Sequence, residues 1–517
     1  MKEKTKFYKD HYDVIVIGGA LAGLSSALML ADKGKDVLVL ERHNLPGGLA
    51  TSFVRGGLEM EATLHEMMSI GKKDNRLKVG KFLDDMGVDI DWLEVPEAYH
   101  ASLPGGVEVT LHPGFETFAR EIDQAVPGTY EKVLSVLNLC HTVFDSVNYL
   151  SIHHMSKVQM LLKHPAFVKT AGYSTKEVLD TFNLPQAALD LLAPYWIYVG
   201  SGFSELPFTI YAVLMADYVG YGSFVCKKFS HEMSLKMAER AVEMGVQIEY
   251  RQNVEKILVK DGKAYGVRTE RRDEIHADYV ISGAYPNKVY TQMIEPLSEV
   301  PERAIKVVNG RRVSLTAFSV VLTLDRSPEE LNIKDYSVFR ATKTMDTDAQ
   351  FKELGTLGPY TYTTTICLNL ANPDCTPKGQ TSLSITTLPR PEAWKNVKPE
   401  DYDRVKHEIA RQLIKDISDY LGVNLFDHIL EVVIETPMTV ARYTGAWNGC
   451  IYGYAHTMED HIIARLQTSE EERLIKHLEF AGAHQISGDG MAPQVTNGRK
   501  AAKNVLDSMA EEKEAAK

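Results

Sequence analysis

The apolar positions near the start of the chain fall in three blocks. Val14 to Ile17 is a short β-branched run, Leu21 to Ala31 is a longer uncharged run, and Val37 to Leu40 is a second β-branched and leucine run closed by Glu41. Gly18 and Gly19 separate the first two blocks, and the charged turn Asp32 to Asp36 separates the last two. The block lengths predict strand, helix and strand, a β-α-β unit in about thirty residues. The lysines before Val14 and the uncharged run after it also suit a secretion signal or a membrane span. Gly18, Gly19 and Gly23 interrupt either helix, and Asp10 and Asp13 spoil a basic leader, so both export readings are rejected.

Further along, Val246 to Thr269 alternates as strand, turn and strand, and "HADYVISGAYPNKVY" supplies another strand with Gly283 and Pro286 at its exit. Between Gly71 and Gly222 the apolar spacing is mostly helical, in "LKVGKFLDDMG", "YEKVLSVLNLCHTVFDSVNYL", "MSKVQMLLKHPAFVKTA" and "LPFTIYAVLMADYVG". From Glu295 to Arg473 it is mostly strand-like, in "LTAFSVVLTL", "YTTTICLNL", "TSLSITTL" and "ILEVVIETP", with "EIARQLIKDISDYLG" as an amphipathic helix. A last strand, a glycine-rich crossing and a helix, from about Val495, follow in "LEFAGAHQISGDGMAPQVTNGRKAAKNVL".

The first unit carries nucleotide chemistry. Gly18 permits the tight exit from the strand, the following helix aims its N-terminal N–H groups at a pyrophosphate, and Gly23 lets helix and strand approach. Glu41, 18 residues after Gly23 by the numbering of the chain, is placed to accept hydrogen bonds from a ribose. Ala20 stands where the middle glycine of G-x-G-x-x-G is usual. Pro46, Gly47 and Gly48 form a second tight turn, and Gly56-Gly57 predicts a hairpin before "LEME".

This order of Rossmann turn, Glu41-Arg42, P-G-G and a hairpin ending near His65 resembles the flavin-dependent phytoene desaturase, carotenoid isomerase and retinol saturase family, relatives of the amine oxidases. "ETPMTVARYTGAWNGCIYGY" resembles the family's T-P…G…Y-G segment. The resemblance runs from Tyr12 to about Ser508. It departs from the family at Leu49, where arginine is frequent, and at Phe229 in "KKFSHEMS", where a glycine pair is usual. The resemblance implies an α/β fold: a discontinuous Rossmann-like FAD-binding domain of residues 12–70, 223–294 and 474–510, and an α+β substrate domain built from the inserts 71–222 and 295–473. It implies FAD contacts at Gly18, Ala20, Gly23, Glu41, Arg42, Gly47, Gly48, Leu49, Val254, Gly283, Gly488, Asp489, Met491 and Val495. Asp489 is expected on the ribityl chain or pyrophosphate, and Met491 to Val495 beside the isoalloxazine ring.

For catalysis, His65 is the first candidate, because the hairpin delivers it near the flavin and imidazole exchanges protons near neutral pH. Glu66 and Tyr443 are the next candidates, and Tyr452 a further tunnel residue. The implied reaction is desaturation, saturation or cis-trans isomerisation of double bonds in an elongated apolar substrate. The alternatives are a double-bond isomerase or reductase of fatty acids or other lipids, and a flavin-binding protein without turnover. An amine oxidase lacks a readable aromatic cage. With one complete nucleotide fingerprint, NAD(P)H enters only as a transient reductant.

The bulk numbers narrow the partners. A chain of 517 residues with 44% hydrophobic and 24% charged residues has ordinary globular composition, and two connected domains are expected. A net charge of −12 argues against nucleic acid. Five scattered cysteines without a C-x-x-C pair suggest neither a disulfide framework nor a metal site, and favour a reducing cytoplasmic setting. Basic and apolar residues alternate from Met155 to Phe167, which permits peripheral membrane contact without a span. Nothing in the pattern fixes an oligomeric state.

Overall fold

The computed structural model describes residues 8–63, 65–150, 157–462, 464–465, 474–485 and 487–517. The opening unit forms as its blocks predict: β1 (His11–Ile17), α1 (Leu21–Asp32) and β2 (Val37–Glu41). The inner residues of both strands are buried, because a parallel sheet is covered on both faces. Strand Gln247–Tyr250 pairs with β2, β2 with β1, and β1 with Glu274–Ser282, all parallel. The end of Glu274–Ser282 also takes Leu478–Phe480 as a parallel neighbour, while its start pairs antiparallel with Lys263–Thr269. Pieces separated by hundreds of residues thus share one sheet.

The C-terminal helix Met491–Ala515 closes this sheet against α1. A Cβ on Gly498 would stand 2.0 Å from the Ala22 carbonyl oxygen, and Ser26 Oγ donates to the Gly498 carbonyl at 2.8 Å. The helix begins at Met491, four residues before the expected start. Val495 consequently lies one turn inside it, fully buried in the apolar core with Leu21 and Leu24. That placement corrects its expected position beside the cofactor: the residue faces the helix packing, not the cavity.

After β2 the chain makes the hairpin β3 (Ser52–Arg55) and β4 (Leu58–Glu61), turned at Gly56 and Gly57 with φ of 55° and 80°. Positive φ at both central residues is the turn that matches strand twist.

The second sheet has seven strands in the order Ile429–Glu435, Phe318–Leu324, Thr381–Thr387, Tyr362–Cys367, Ser337–Ala341, Tyr99–Leu103, Val107–Leu111. Its last two strands come from the first insert, which its helical spacing did not announce. They are short, and their turn at Gly105-Gly106 is the sequence signal that marks them. Helix Tyr402–Leu421 covers the face carrying Val320 and Leu322, with Leu413 and Ile417 in the same core. The opposite face, carrying Ser319 and Thr386, looks toward the helices of the first insert across a cavity. Those helices include Tyr130–Leu150 and Phe208–Tyr221, as their spacing predicts. The basic-apolar segment is described only from residue 157; it forms two short helices, Lys157–Lys163 and Pro165–Thr170, broken at Pro165.

Candidate functional site

A single cavity of about 1480 Å³ runs from the β1–α1 turn to the second sheet. At the nucleotide end, the Gly18 amide donates to the Leu40 carbonyl at 2.9 Å, holding the turn against β2. A Cβ on Gly23 would lie 1.9 Å from the Gly18 carbonyl oxygen, so only glycine allows this helix to sit so close to the turn. The Gly47 amide donates to Gly19 at 2.9 Å, and a Cβ on Gly47 would meet the Ala50 carbonyl at 2.3 Å. The methyl of Ala20 faces Gly48, where an added Cβ would stand 2.9 Å away. The glycine lost at position 20 is therefore matched by one at position 48.

Glu41 is buried at the end of β2; its Oε2 accepts from the Gly19 amide at 2.6 Å and its Oε1 from the His43 amide at 2.7 Å. Arg42 donates to the Arg442 carbonyl at 2.7 Å, and the Leu49 carbonyl accepts from Thr63 at 2.8 Å. Val254 opens its strand on the cavity wall, and the Gly283 amide donates to the Ile17 carbonyl at 2.8 Å. Across the cavity stand Asp489 and Met491, with Gly488 held against His456, whose Nε2 a Cβ would approach to 2.5 Å.

Asp489 Oδ1 lies 2.7 Å from His456 Nε2, but its Oδ2 is buried without a partner among the described residues, as are His456 Nδ1 and His484 Nε2. Burial lowers both histidines, His484 to about 3, so their free nitrogens are neutral. Orphaned buried polar atoms carry a cost, and because the Asp489 oxygen accepts, a ligand hydroxyl relieves it. Two helix N-termini, two glycine turns and a buried acid at a strand end fit a dinucleotide; the orphaned Asp489 oxygen fits its middle portion.

At the other end of the cavity, Glu66 is buried, with Tyr198 OH donating to Oε1 and Ser223 Oγ to Oε2, both at 2.7 Å. Loss of solvent outweighs these donors and pushes its carboxyl up to about 7. His65 is half-buried beside it; its carbonyl accepts from Tyr336, and its ring has no hydrogen bond among the described residues. Burial holds that ring down at about 4, so it is neutral near pH 7. Asp217, also buried on the wall, is held by the Ser69 amide and hydroxyl, and burial raises it to about 6.

Tyr443 is placed elsewhere. It is 50% exposed at the cavity mouth, with its ring edge-on to His43 at 5.9 Å, two residues past Glu41. No hydrogen bond or ring contact joins it to His65 or Glu66, because helix Pro437–Thr444 carries it over the nucleotide end. Tyr452 is half-buried on the wall and its carbonyl accepts from Tyr285. Sequence reasoning missed Tyr198, Ser223, Asp217, His456, His484 and Glu435. Only Glu435 had a local signal, an acidic residue ending the apolar run "VVIE" just before Thr436-Pro437.

A family model described as flavin containing amine oxidoreductase matches residues 21–506. The prolycopene isomerase of Daucus carota is 24% identical over 454 residues, 85% of this chain and 71% of that protein. The all-trans-retinol 13,14-reductase of Danio rerio is 22% identical, across 91% of this chain and 82% of that protein. The 4,4'-diapolycopene oxygenase of a Methylomonas species is 24% identical, across 94% and 96%. Among solved structures, an oxidoreductase from Methanosarcina mazei superposes with a TM-score of 0.63 at 14% identity, covering 94% of this chain and 99% of that one. Putrescine oxidase bound to putrescine gives 0.63 at 14%, covering 96% and 99%. These structural likenesses show the fold: a discontinuous Rossmann-like domain with an α+β domain built from two inserts. The chain belongs to the flavin-containing amine oxidoreductase family.

Proposed function

We propose that this chain is an FAD-dependent enzyme that saturates, desaturates or isomerises carbon-carbon double bonds in an elongated apolar molecule of the carotenoid or retinoid kind. The observation that carries this reading is the buried Glu66 carboxyl, held by Tyr198 and Ser223, on the same cavity as the nucleotide turns. Three relatives named for carotenoid or retinoid chemistry, matched over most of their length, support the substrate class.

In this reading Gly18, Ala20, Gly23, Gly47, Gly48 and Leu49 line the pyrophosphate end, and Glu41, Arg42 and Val254 the adenosine end. Gly283, Gly488, Asp489 and Met491 hold the flavin side. FAD, when bound, supplies the hydride port. Delivering hydride alone to an apolar polyene strands a carbon charge in a medium that does not solvate it, so a proton port is required. Glu66 takes that role: a carboxyl at about 7 is half protonated at neutral pH and gives or takes one proton. His65, neutral near pH 7 and on the cavity wall, is placed to orient the substrate. Net reduction consumes one hydride and one proton per double bond and draws on a transient reductant such as NAD(P)H; isomerisation consumes neither.

Access by a lipid-soluble substrate has its own support. Val158, Leu161 and Leu162 are 68%, 56% and 75% exposed, while Phe144, Val147 and Phe167 nearby line the cavity. Apolar side chains presented to water beside a cavity suit contact with a membrane surface. No described helix is long and apolar enough to cross a membrane.

The test is anaerobic incubation of the FAD-loaded protein, its flavin reduced, with all-trans-retinol and with a cis-polyene, followed by mass spectrometry. A product heavier by two hydrogens is expected for reduction, and unchanged mass with altered retention for isomerisation. The oxidised, FAD-loaded protein is incubated in parallel with a partly saturated polyene, where a product lighter by two hydrogens is expected for desaturation; no product in any of the three incubations, with flavin bound and intact, overturns the reading.

A further inference from the structure

The second sheet meets the cavity with one polar row in an apolar wall. Glu435 pairs with Ser319, Ser319 with Thr386, and Thr386 with Thr364, so four residues on four adjacent strands stand in one register. Directly paired residues project from the same face of a sheet, and all four line the cavity. The hydroxyls of Ser319 and Thr386 are 2.8 Å apart. Two places along the strands, Ala317, Leu388 and Val433 make the same wall apolar. At the end of the row the Glu435 side chain is 7% exposed and forms no hydrogen bond with any described residue. The carboxyl therefore opens onto the cavity with its hydrogen-bonding capacity free for a ligand.

We propose that Glu435, with Ser319, Thr386 and Thr364, seats a hydroxyl head group at one end of the substrate, so that the chain acts on a polyene or lipid alcohol in preference to a hydrocarbon. This rests on the reading of the cavity as an apolar substrate site. Burial, and after it the Glu61 carboxylate, raise Glu435 to about 8, so it is protonated at neutral pH. A protonated carboxyl donates one hydrogen bond and accepts others, the complement of an alcohol. A carboxylate head group would add negative charge beside Glu61, and an ammonium would require Glu435 to ionise against both influences. The neighbouring serine and threonine hydroxyls extend the same donor-acceptor pattern across the wall.

The experiment is a titration of the FAD-loaded protein at pH 7 with all-trans-retinol and with the matching hydrocarbon that lacks the hydroxyl, read by the change in flavin absorbance. Wild type should bind the alcohol about tenfold or more tightly than the hydrocarbon, the worth of a satisfied buried hydrogen bond. Glu435→Leu should bring that ratio near one while hydrocarbon affinity and flavin content hold. Glu435→Gln, which still donates and accepts, should keep most of the preference, and Thr386→Val should lose part of it; these two carry the test if the leucine variant does not fold. Equal wild-type affinities, a ratio that survives all three substitutions, or tighter binding of the corresponding primary amine would each overturn the proposal. Radiolabelled hexadecanol and hexadecane form a second arm. If neither polyene binds but hexadecanol is preferred and Glu435→Leu abolishes that preference, the head-group seat stands and the polyene reading falls. If neither pair shows an alcohol preference, the seat falls.

Discussion

At Gly23 the side chain is a single hydrogen because the Gly18 carbonyl oxygen leaves room for nothing more. Gly23→Val should therefore do more than weaken flavin binding. It should unseat α1 from the turn, and a lost flavin spectrum together with a lower Tm would show both effects. Phe229 presents the opposite case. It occupies φ of 62°, a left-handed conformation that costs a bulky residue about 1–2 kcal/mol, where the family places glycines. Its ring is buried with Val95, Tyr336 and Ile366, and that packing holds the strained backbone in place. For the proton step, Glu66→Gln should lower double-bond reduction by about a hundredfold and His65→Phe by less. Turnover of wild type should fall as pH rises through about 7, because the required acid ionises there; a pH profile that Glu66→Gln leaves unchanged would remove Glu66 from the role. Glu66 and Glu435 also set a sign for stability. Both carboxyls are raised above their ordinary 4.5, to about 7 and about 8, so the folded chain binds more protons than the unfolded one over that interval. Stability should consequently fall as pH climbs from about 5 to 8, and Glu435→Gln should flatten the upper part of that slope in thermal melts of the flavin-free protein.

Among the elements, those with strong periodicity were legible: β1, α1 and β2, the hairpin at Gly56-Gly57, and the long helices follow their apolar spacing. The strand pair Tyr99–Leu103 and Val107–Leu111 was not legible as part of the second sheet. Five residues ended by Pro104 and the Gly105-Gly106 turn predict a strand, but not that it will find a partner more than two hundred residues later. The helix start at Met491 was missed because Pro493, in the first turn, reads as a stop as readily as a start. The paired short helices Lys157–Lys163 and Pro165–Thr170 carry the membrane prediction. Leu161→Ser with Leu162→Ser should cut association with anionic liposomes severalfold and leave the flavin spectrum intact, since both side chains face water. Liposome binding unchanged by the pair would assign these leucines another partner.

Across the whole molecule, the close-packed glycine turns at one end of the cavity were readable from glycine spacing, because their packing is backbone packing and leaves a sequence trace. The substrate end was not. Glu66, Tyr198, Ser223 and the row at Glu435 meet only through tertiary packing, with partners 132 and 157 residues apart for Glu66 alone. The seating of the C-terminal helix against α1 through Gly498 and Ser26, 472 residues apart, has a further consequence in time. During synthesis the first turn and its helix emerge well before the wall that carries Asp489 and Met491, which follows more than four hundred residues later. The half-built cradle must wait on the ribosome with α1 exposing the apolar stripe that Val495, Ala501 and Val505 will later cover. Flavin capture is then a late event that completes the fold, and free FAD in the translation mixture should raise the yield of soluble protein without changing its rate of synthesis.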